Sequence, residues 1–287
     1  MSLKVFILAG ELSGDKLGGA LMESLSQLSP GVEYQGIGGP LMQAQGLSSQ
    51  FPMEELSVMG IAEVLPKYFH LKRRIRETAE AVVAMQPDVL ITIDSPDFSL
   101  RVAKLVKAAS NIRTVHYVAP SVWAWRPKRA QKMARSIDHV LALLPFEPPY
   151  MEAAGMACDF VGHPVVAEPA ATAADIAAMR LRLGLGDGAY MVALPGSRRS
   201  EVSRLAPVFG PALAEFKARR PDLRIVVPAA GPVADLVRQE TQGWAVDPVV
   251  FDPSGLPPDE AGAVKRALFA GAELALAASG TVSLELA

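Results

Sequence analysis

Val5-Phe6-Ile7-Leu8-Ala9-Gly10-Glu11-Leu12-Ser13-Gly14-Asp15 is the stretch on which the fold turns. Its first part, residues 5–10, is a short apolar run that reads as a buried strand. A glycine-bearing turn follows, then a helical pattern over residues 16–28 with Gly18-Gly19 inside it. A strand that passes through a glycine turn into a helix opens a strand–helix–strand unit. The rhythm continues outward. Residues 34–38, 89–94, 114–118, 140–144 and 159–162 read as further strands, with a helix over 98–109. Alternation of this kind predicts parallel sheets joined by right-handed crossovers.

The pattern then restarts. Residues 168–176 are alanine-rich, carry Pro169 and read as a connection, and a helix is expected near 177–183. Gly184, Gly186 and Gly188 precede a second opening strand at 190–195. Strands at 224–228, 248–251 and 274–278 alternate with helices near 202–219, 233–240 and 259–270. The expected fold class is α/β, with two Rossmann-like parallel-sheet domains, residues 1–167 and 168–287, facing across a cleft. The chain stops at Ala287, a few residues into a helix. A helix of about seven residues buries little, so the second domain is expected to be incomplete.

Composition sets limits. Half of the 287 residues are hydrophobic, enough to bury two cores. The 28 basic and 30 acidic residues leave a net charge of −2, without the basic excess of a nucleic-acid binder. The single cysteine, Cys158, has no internal partner, which fits a reducing cytoplasm. No run reaches the roughly 20 apolar residues of a membrane span. The protein is expected to be soluble or peripheral.

Five stretches are candidates for chemistry. The turn with Glu11, Ser13, Gly14 and Asp15 is no G-x-G-x-x-G fingerprint, so a dinucleotide loses support. It reads as a ligand site or as a turn in which Asp15 caps its helix. Ile93-Asp94-Ser95-Pro96-Asp97-Phe98 places two acids at a strand end. A carboxylate there suits a general base, while Asp97 or Ser95 suits a helix cap. The run from His116 to Arg129 carries Ser121, Trp123, Trp125 and Arg126. Its aromatics suit a sugar or an acyl chain, or packing between domains. Leu194-Pro195-Gly196-Ser197-Arg198-Arg199-Ser200-Glu201-Val202 joins a strand to a helix with glycine, serine and arginine, donors that suit a diphosphate. Ser279-Gly280-Thr281, with Glu285 beyond, repeats that kind of turn.

A sixth stretch, residues 61–76, mixes Leu65, Phe69 and Leu71 with five basic residues that include Lys72 and Arg73. It reads as an interfacial element that meets anionic lipid, or as a helix with a solvated basic rim. Pro66 is expected to prevent one unbroken helix and to mark a helix start.

In this order, the motifs resemble the lipid-A-disaccharide synthase family. The matching stretches are residues 9–19, 36–46, 53–65, 93–98, 116–129, 141–147, 160–164, 194–202 and 278–285. The Ser-Val-Trp-Ala-Trp-Arg run at 121–126 is the most specific. The resemblance implies a GT-B glycosyltransferase that is inverting, uses no cofactor or catalytic metal, and lies at the cytoplasmic face of the inner membrane. The donor would be UDP-2,3-diacylglucosamine and the acceptor 2,3-diacylglucosamine 1-phosphate. The products would be a β-1′,6-linked disaccharide 1-phosphate and UDP. It assigns the base role to Asp94 and acceptor contacts to Glu11, Ser13, Gly14, Asp15, Ser121, Trp123 and Arg126. Donor contacts fall to Gly196, Ser197, Arg198, Glu201, Ser279, Gly280, Thr281 and Glu285. The rival readings are another GT-B enzyme, such as a UDP-sugar 2-epimerase, and a ligand-binding fragment without activity.

Overall fold

The computed structural model describes residues 2–56, 61–124, 126, 128–278 and 282–286, with residues 61–67 described by backbone alone. The chain forms two compact units, Met1–Val166 and Ala167–Ala287.

In the first unit the strands are β1 (Lys4–Ala9), β2 (Glu33–Ile37), β3 (Ser48–Ser49), β4 (Val89–Ile93), β5 (Arg113–Tyr117), β6 (His139–Ala142) and β7 (Ala157–Phe160). They form one sheet in the order β3-β2-β1-β4-β5-β6-β7, with every pairing parallel. The helices are α1 (Leu12–Leu28), α2 (Pro40–Ala44), α3 (Ile61–Met85), α4 (Pro96–Ala109), α5 (Lys128–Met133) and α6 (Pro148–Glu152). Val5 to Ala9 are all buried, as a central strand covered on both faces requires.

In the second unit, α7 (Ala173–Arg182) leads into β8 (Tyr190–Leu194), α8 (Arg199–Arg219), β9 (Arg224–Pro228), α9 (Ala234–Thr241), β10 (Val249–Phe251), α10 (Pro258–Ala270), β11 (Leu274–Ala277) and α11 (Val282–Leu286). The sheet order is β10-β9-β8-β11, again all parallel. Alternate residues of β8 feed two cores. Met191 and Ala193 join Ile225 and Val227 on one face, while Tyr190 and Val192 join Val226 and Phe251 on the other. The Tyr190 hydroxyl donates to the Leu268 carbonyl at 2.7 Å, so the buried ring leaves no polar atom unpaired.

Every strand read from the sequence is present, with ends shifted by no more than two residues. Helix starts differ more. α1 begins at Leu12, which puts Ser13, Gly14 and Asp15 in its first turn. α7 begins at Ala173, inside the stretch read as a connection. Thr172 and Asp175 exchange hydrogen bonds there, with Asp175 N to Thr172 Oγ1 at 3.2 Å and Thr172 N to Asp175 Oδ2 at 2.8 Å. α3 runs unbroken through Pro66, against expectation. The proline forfeits one N–H bond near the helix start, and the later turns are held by buried Ile75, Thr78, Ala79 and Val82.

Asp15 joins two elements. Its side chain is buried, with 1% of its surface exposed. Oδ1 accepts from the amides of Gly39 (2.8 Å) and Met42 (3.0 Å), and Oδ2 from Leu41 (3.0 Å). The carboxylate therefore caps the start of α2, not its own helix, and satisfies amides that a short helix leaves without partners. Asp15→Asn keeps the shape but turns an N–H toward another N–H. Urea denaturation is expected to show a loss of about 2–4 kcal/mol; a change below about 0.5 kcal/mol would contradict this anchoring.

Candidate functional site

In a parallel sheet the strands' carboxyl ends share one edge, and ligands of open α/β folds bind there. β4 ends in Asp94 and Ser95, with φ of +44° and +43°. Two consecutive non-glycine residues in the left-handed region carry strain, which clusters at functional sites. The turn is held because the Asp94 amide donates to the Tyr117 carbonyl (3.1 Å) and the Ser95 carbonyl accepts from Phe98 (3.0 Å) and Ser99 (2.9 Å). Ser95 is thus the residue that precedes α4, and Asp97 lies in the first turn, not at the cap position. β1 ends at Gly10, where a Cβ would lie 2.5 Å from Ser95 Oγ, so only glycine lets the two strand ends approach. On the next strand Val118 has φ of +86°, costly for a β-branched residue.

Behind this edge the neighbours Thr92 and His116 pair in register. Thr92 Oγ1 lies 2.7 Å from His116 Nδ1. The imidazole is fully enclosed, and burial, with Arg129 adding repulsion, pushes its pKa down to about 4. It is neutral at pH 7 and serves the strand pair. The sequence alone gives it no role, because a lone histidine in an apolar strand carries no signal of its partner.

The loop after β5 carries Ser121 and Trp123, and the loop after β6 carries Phe146 and Glu147. Ser121 is exposed, and its carbonyl accepts from the Ala124 amide at 3.2 Å. Glu147 is buried and accepts from the Leu144 amide at 3.0 Å. Burial raises its pKa, opposed by hydrogen bonds from the Leu144 amide, the Trp123 side chain and the Leu143 amide. The Trp123 ring meets Phe146 edge to face, with centroids 5.2 Å apart and planes at 88°. Arg126 is exposed, with φ of +54°. Trp125 lies outside the described residues.

Of the α1 residues expected at the acceptor, Glu11 and Ser13 are partly exposed, but Gly14 and Asp15 are buried. The reading of those two as direct contacts is corrected: a Cβ at Gly14 would lie 3.2 Å from Ala9 Cβ, and Asp15 is committed to α2.

In the second unit the turn from β8 to α8 begins at Gly196, with φ of +133°. The amides of Ser197 (3.0 Å) and Arg198 (3.3 Å) donate to Glu201 Oε2, and Arg198 NH1 donates to Oε1 at 2.8 Å. Burial opposes ionisation of Glu201, yet the bonds from Arg198 and Ser197 outweigh it and hold its pKa low. The carboxylate thus occupies the anion position at this helix start. Glu201 builds the loop, where the sequence suggests a ligand contact. Glu285, on α11, pairs with Lys265 of α10. Ser279, Gly280 and Thr281 lie outside the described residues.

On α3, Phe69 is 81% exposed and Lys72, Arg73 and Arg76 are exposed, while Leu71 is half-buried. The Leu65 side chain lies outside the described residues. Arg74 turns inward onto Glu55 (2.8 and 3.0 Å) and the Phe51 ring (4.3 Å). Glu55 Oε2 also lies 2.7 Å from His70 Nε2. This clasp, invisible in sequence because its partners are 15 and 19 residues apart, fixes the basic face outward. Among the described residues no helix is long and apolar enough to cross a membrane, and no group of three or more His, Cys, Asp or Glu residues is gathered to hold a metal.

Residues 5–287 match the family model described as lipid-A-disaccharide synthetase. A lipid-A-disaccharide synthase of Ruegeria pomeroyi is 70% identical over 285 residues, 99% of this chain and 71% of that protein. One from Rhodospirillum centenum is 49% identical over 288 residues, 99% of this chain and 70% of that protein. Among solved structures, an S. aureus MnaA–UDP co-structure aligns with a TM-score of 0.67 at 11% identity, covering 98% of this chain and 75% of that one. A glycosyltransferase of Rickettsia africae gives 0.55 at 11% identity, over 99% of this chain and 76% of that one. Identities this low show the fold alone, which is GT-B-like.

The buried histidine makes a pH prediction. Unfolded, the imidazole takes a proton near pH 6.5; folded, only near 4. Between those values the unfolded state binds more protons, so stability is fully present above about pH 6.5 and falls as pH drops toward 4, by about 3 kcal/mol in all. Denaturation at pH 7.5 and 4.5 is expected to show a steeper loss in the unaltered protein than in His116→Asn. Equal losses would show that the imidazole is not the group responsible.

Proposed function

Because the chain belongs to the lipid-A-disaccharide synthase family of glycosyltransferases, we propose that it transfers 2,3-diacylglucosamine from UDP-2,3-diacylglucosamine to 2,3-diacylglucosamine 1-phosphate. The observation that carries this reading is 70% identity to a named synthase over 99% of the chain. The epimerases that share the fold at 11–14% identity carry no comparable support for their own reaction.

The acceptor is assigned to the first unit and the nucleotide to the second. Asp94 removes the proton from the acceptor 6-hydroxyl. The freed oxygen attacks the anomeric carbon of the donor from the face opposite UDP, the C–O bond to the diphosphate breaks, and a β-1′,6 linkage forms with inversion. The strained turn at Asp94–Ser95, at a carboxyl strand end, supports the base role. The leaving UDP gathers negative charge. Gly196, Ser197 and Arg198, with the helix dipole of α8, supply compensation without a metal. Glu201 holds the turn in shape and must share Arg198 with the diphosphate. Ser279, Gly280, Thr281 and Glu285 complete the donor set. Glu11, Ser13, Ser121, Trp123 and Arg126 remain for the acceptor. That related folds hold UDP in S. aureus and other proteins supports the nucleotide class.

Both substrates carry acyl chains, so the enzyme works at a lipid surface. We assign it to the cytoplasmic face of the inner membrane, with α3 as the contact: Phe69 enters the acyl boundary while Lys72 and Arg73 meet anionic headgroups.

Two variants test these assignments. Asp94→Asn is expected to lower kcat by about 10²–10⁴-fold with an unchanged circular dichroism spectrum; near-normal turnover would move the role to another group such as Asp97. Phe69→Ser combined with Lys72→Gln and Arg73→Gln is expected to weaken sedimentation with vesicles of anionic phospholipid, by about thirtyfold for the two charges lost, while Tm stays within about 2 °C. Unaltered vesicle binding would remove α3 from the membrane contact.

A further inference from the structure

Trp123 and Phe146 are 45% and 47% exposed, although both are large and apolar. Neither is loose. Trp123 is held by its edge-to-face contact with Phe146, and Glu147, the residue after Phe146, is buried and accepts from the Leu144 amide of its own loop. Phe146 is fixed by the neighbouring Glu147 and by its edge-to-face contact with Trp123. Trp123 follows β5 by six residues and Phe146 follows β6 by four, so both rise from the carboxyl edge that carries Asp94 and Ser95 at the end of β4. Leu12, 45% exposed, opens α1 after β1 at the same edge.

The angle between the rings distinguishes possible ligands. A sugar ring stacks flat against one aromatic face. Two rings at 88° instead make a corner. A methylene chain lying in a corner touches both walls along its length and hides apolar surface on two sides. Glu147, buried and bonded to the Leu144 amide, ties down the loop that carries the Phe146 wall, which preserves the corner.

We propose that Trp123 and Phe146 form a right-angled apolar corner that receives an acyl chain of the acceptor, with Phe146 a specificity-determining residue. This rests on the transfer reaction assigned above and names where the first unit holds the lipid part of its substrate. Phe146 belongs to the run Leu144-Pro145-Phe146-Glu147, which lies within a stretch that resembles the family but to which the resemblance assigns no contact.

The experiment is a series of 2,3-diacylglucosamine 1-phosphate acceptors of increasing acyl length, assayed with the purified enzyme in mixed micelles at saturating donor. For the unaltered enzyme KM is expected to fall as the chain lengthens. Phe146→Ala is expected to raise the KM of the long-chain acceptor about five- to twentyfold, tenfold being 1.4 kcal/mol, to flatten the dependence on length, and to leave donor KM unchanged. Phe146→Leu, which keeps much of the wall, restores part of the slope. A Phe146→Ala enzyme whose KM depends on acyl length as steeply as the unaltered one overturns the corner while leaving the reaction intact. A rise in KM that is equal for short and long chains also overturns it, since that is the mark of a displaced loop. Absence of transfer by the unaltered enzyme with every acceptor overturns the assigned reaction, and the corner's role with it.

Discussion

Every strand pairing in the two sheets is parallel. A parallel strand cannot return through a tight hairpin, so each connection must cross a face of the sheet, and all strands end at one edge. In the first unit that edge gathers Gly10, Asp94, Val118 and the loops of Trp123 and Phe146 from the ends of four strands. In the second it exposes the turn from β8 to α8. Each strand end must also turn sharply into its helix or loop. This is where the positive φ angles of Asp94, Ser95, Val118 and Gly196 fall.

Acids at such turns divide into those that build the turn and the one to which we assign chemistry. Asp15 caps α2, Glu201 closes the turn before α8, and Glu147 closes its own loop through the Leu144 amide. Each satisfies backbone amides that would otherwise lack a partner, at a cost of about 1–3 kcal/mol per group. Asp94 stands at the strained end of a central strand, the kind of place where backbone strain accompanies function.

The strands are legible in the sequence because an apolar run of about five residues between glycines has few other readings, and β1, β4 and β8 carry that signal strongly. Helix starts are less legible. Residues 168–176 resemble a connection because alanine and Pro169 show no periodicity, although Thr172 and Asp175, three residues on, form a capping box that the sequence displays. Pro66 has the character of a breaker, yet its cost is local, and the buried face further along α3 outweighs it. The candidate site is legible in outline: Asp94, Trp123 and the Gly196–Arg198 turn stand out by residue type, and the sheet order puts the first two at one edge. What a sequence cannot supply is pairing at a distance. Asp15 with residues 39–42, Glu55 with Arg74, Trp123 with Phe146 and Thr92 with His116 depend on contacts that only the fold brings together.

With the acceptor assigned to the first unit and the nucleotide to the second, hydrogen exchange of backbone amides with and without UDP tests that division of labour. Slowed exchange is expected in residues 194–202 of the second unit, with residues 10–15 and 94–98 of the first unchanged. Protection by UDP of the first unit's strand ends, with none at the turn from β8 to α8, would contradict it.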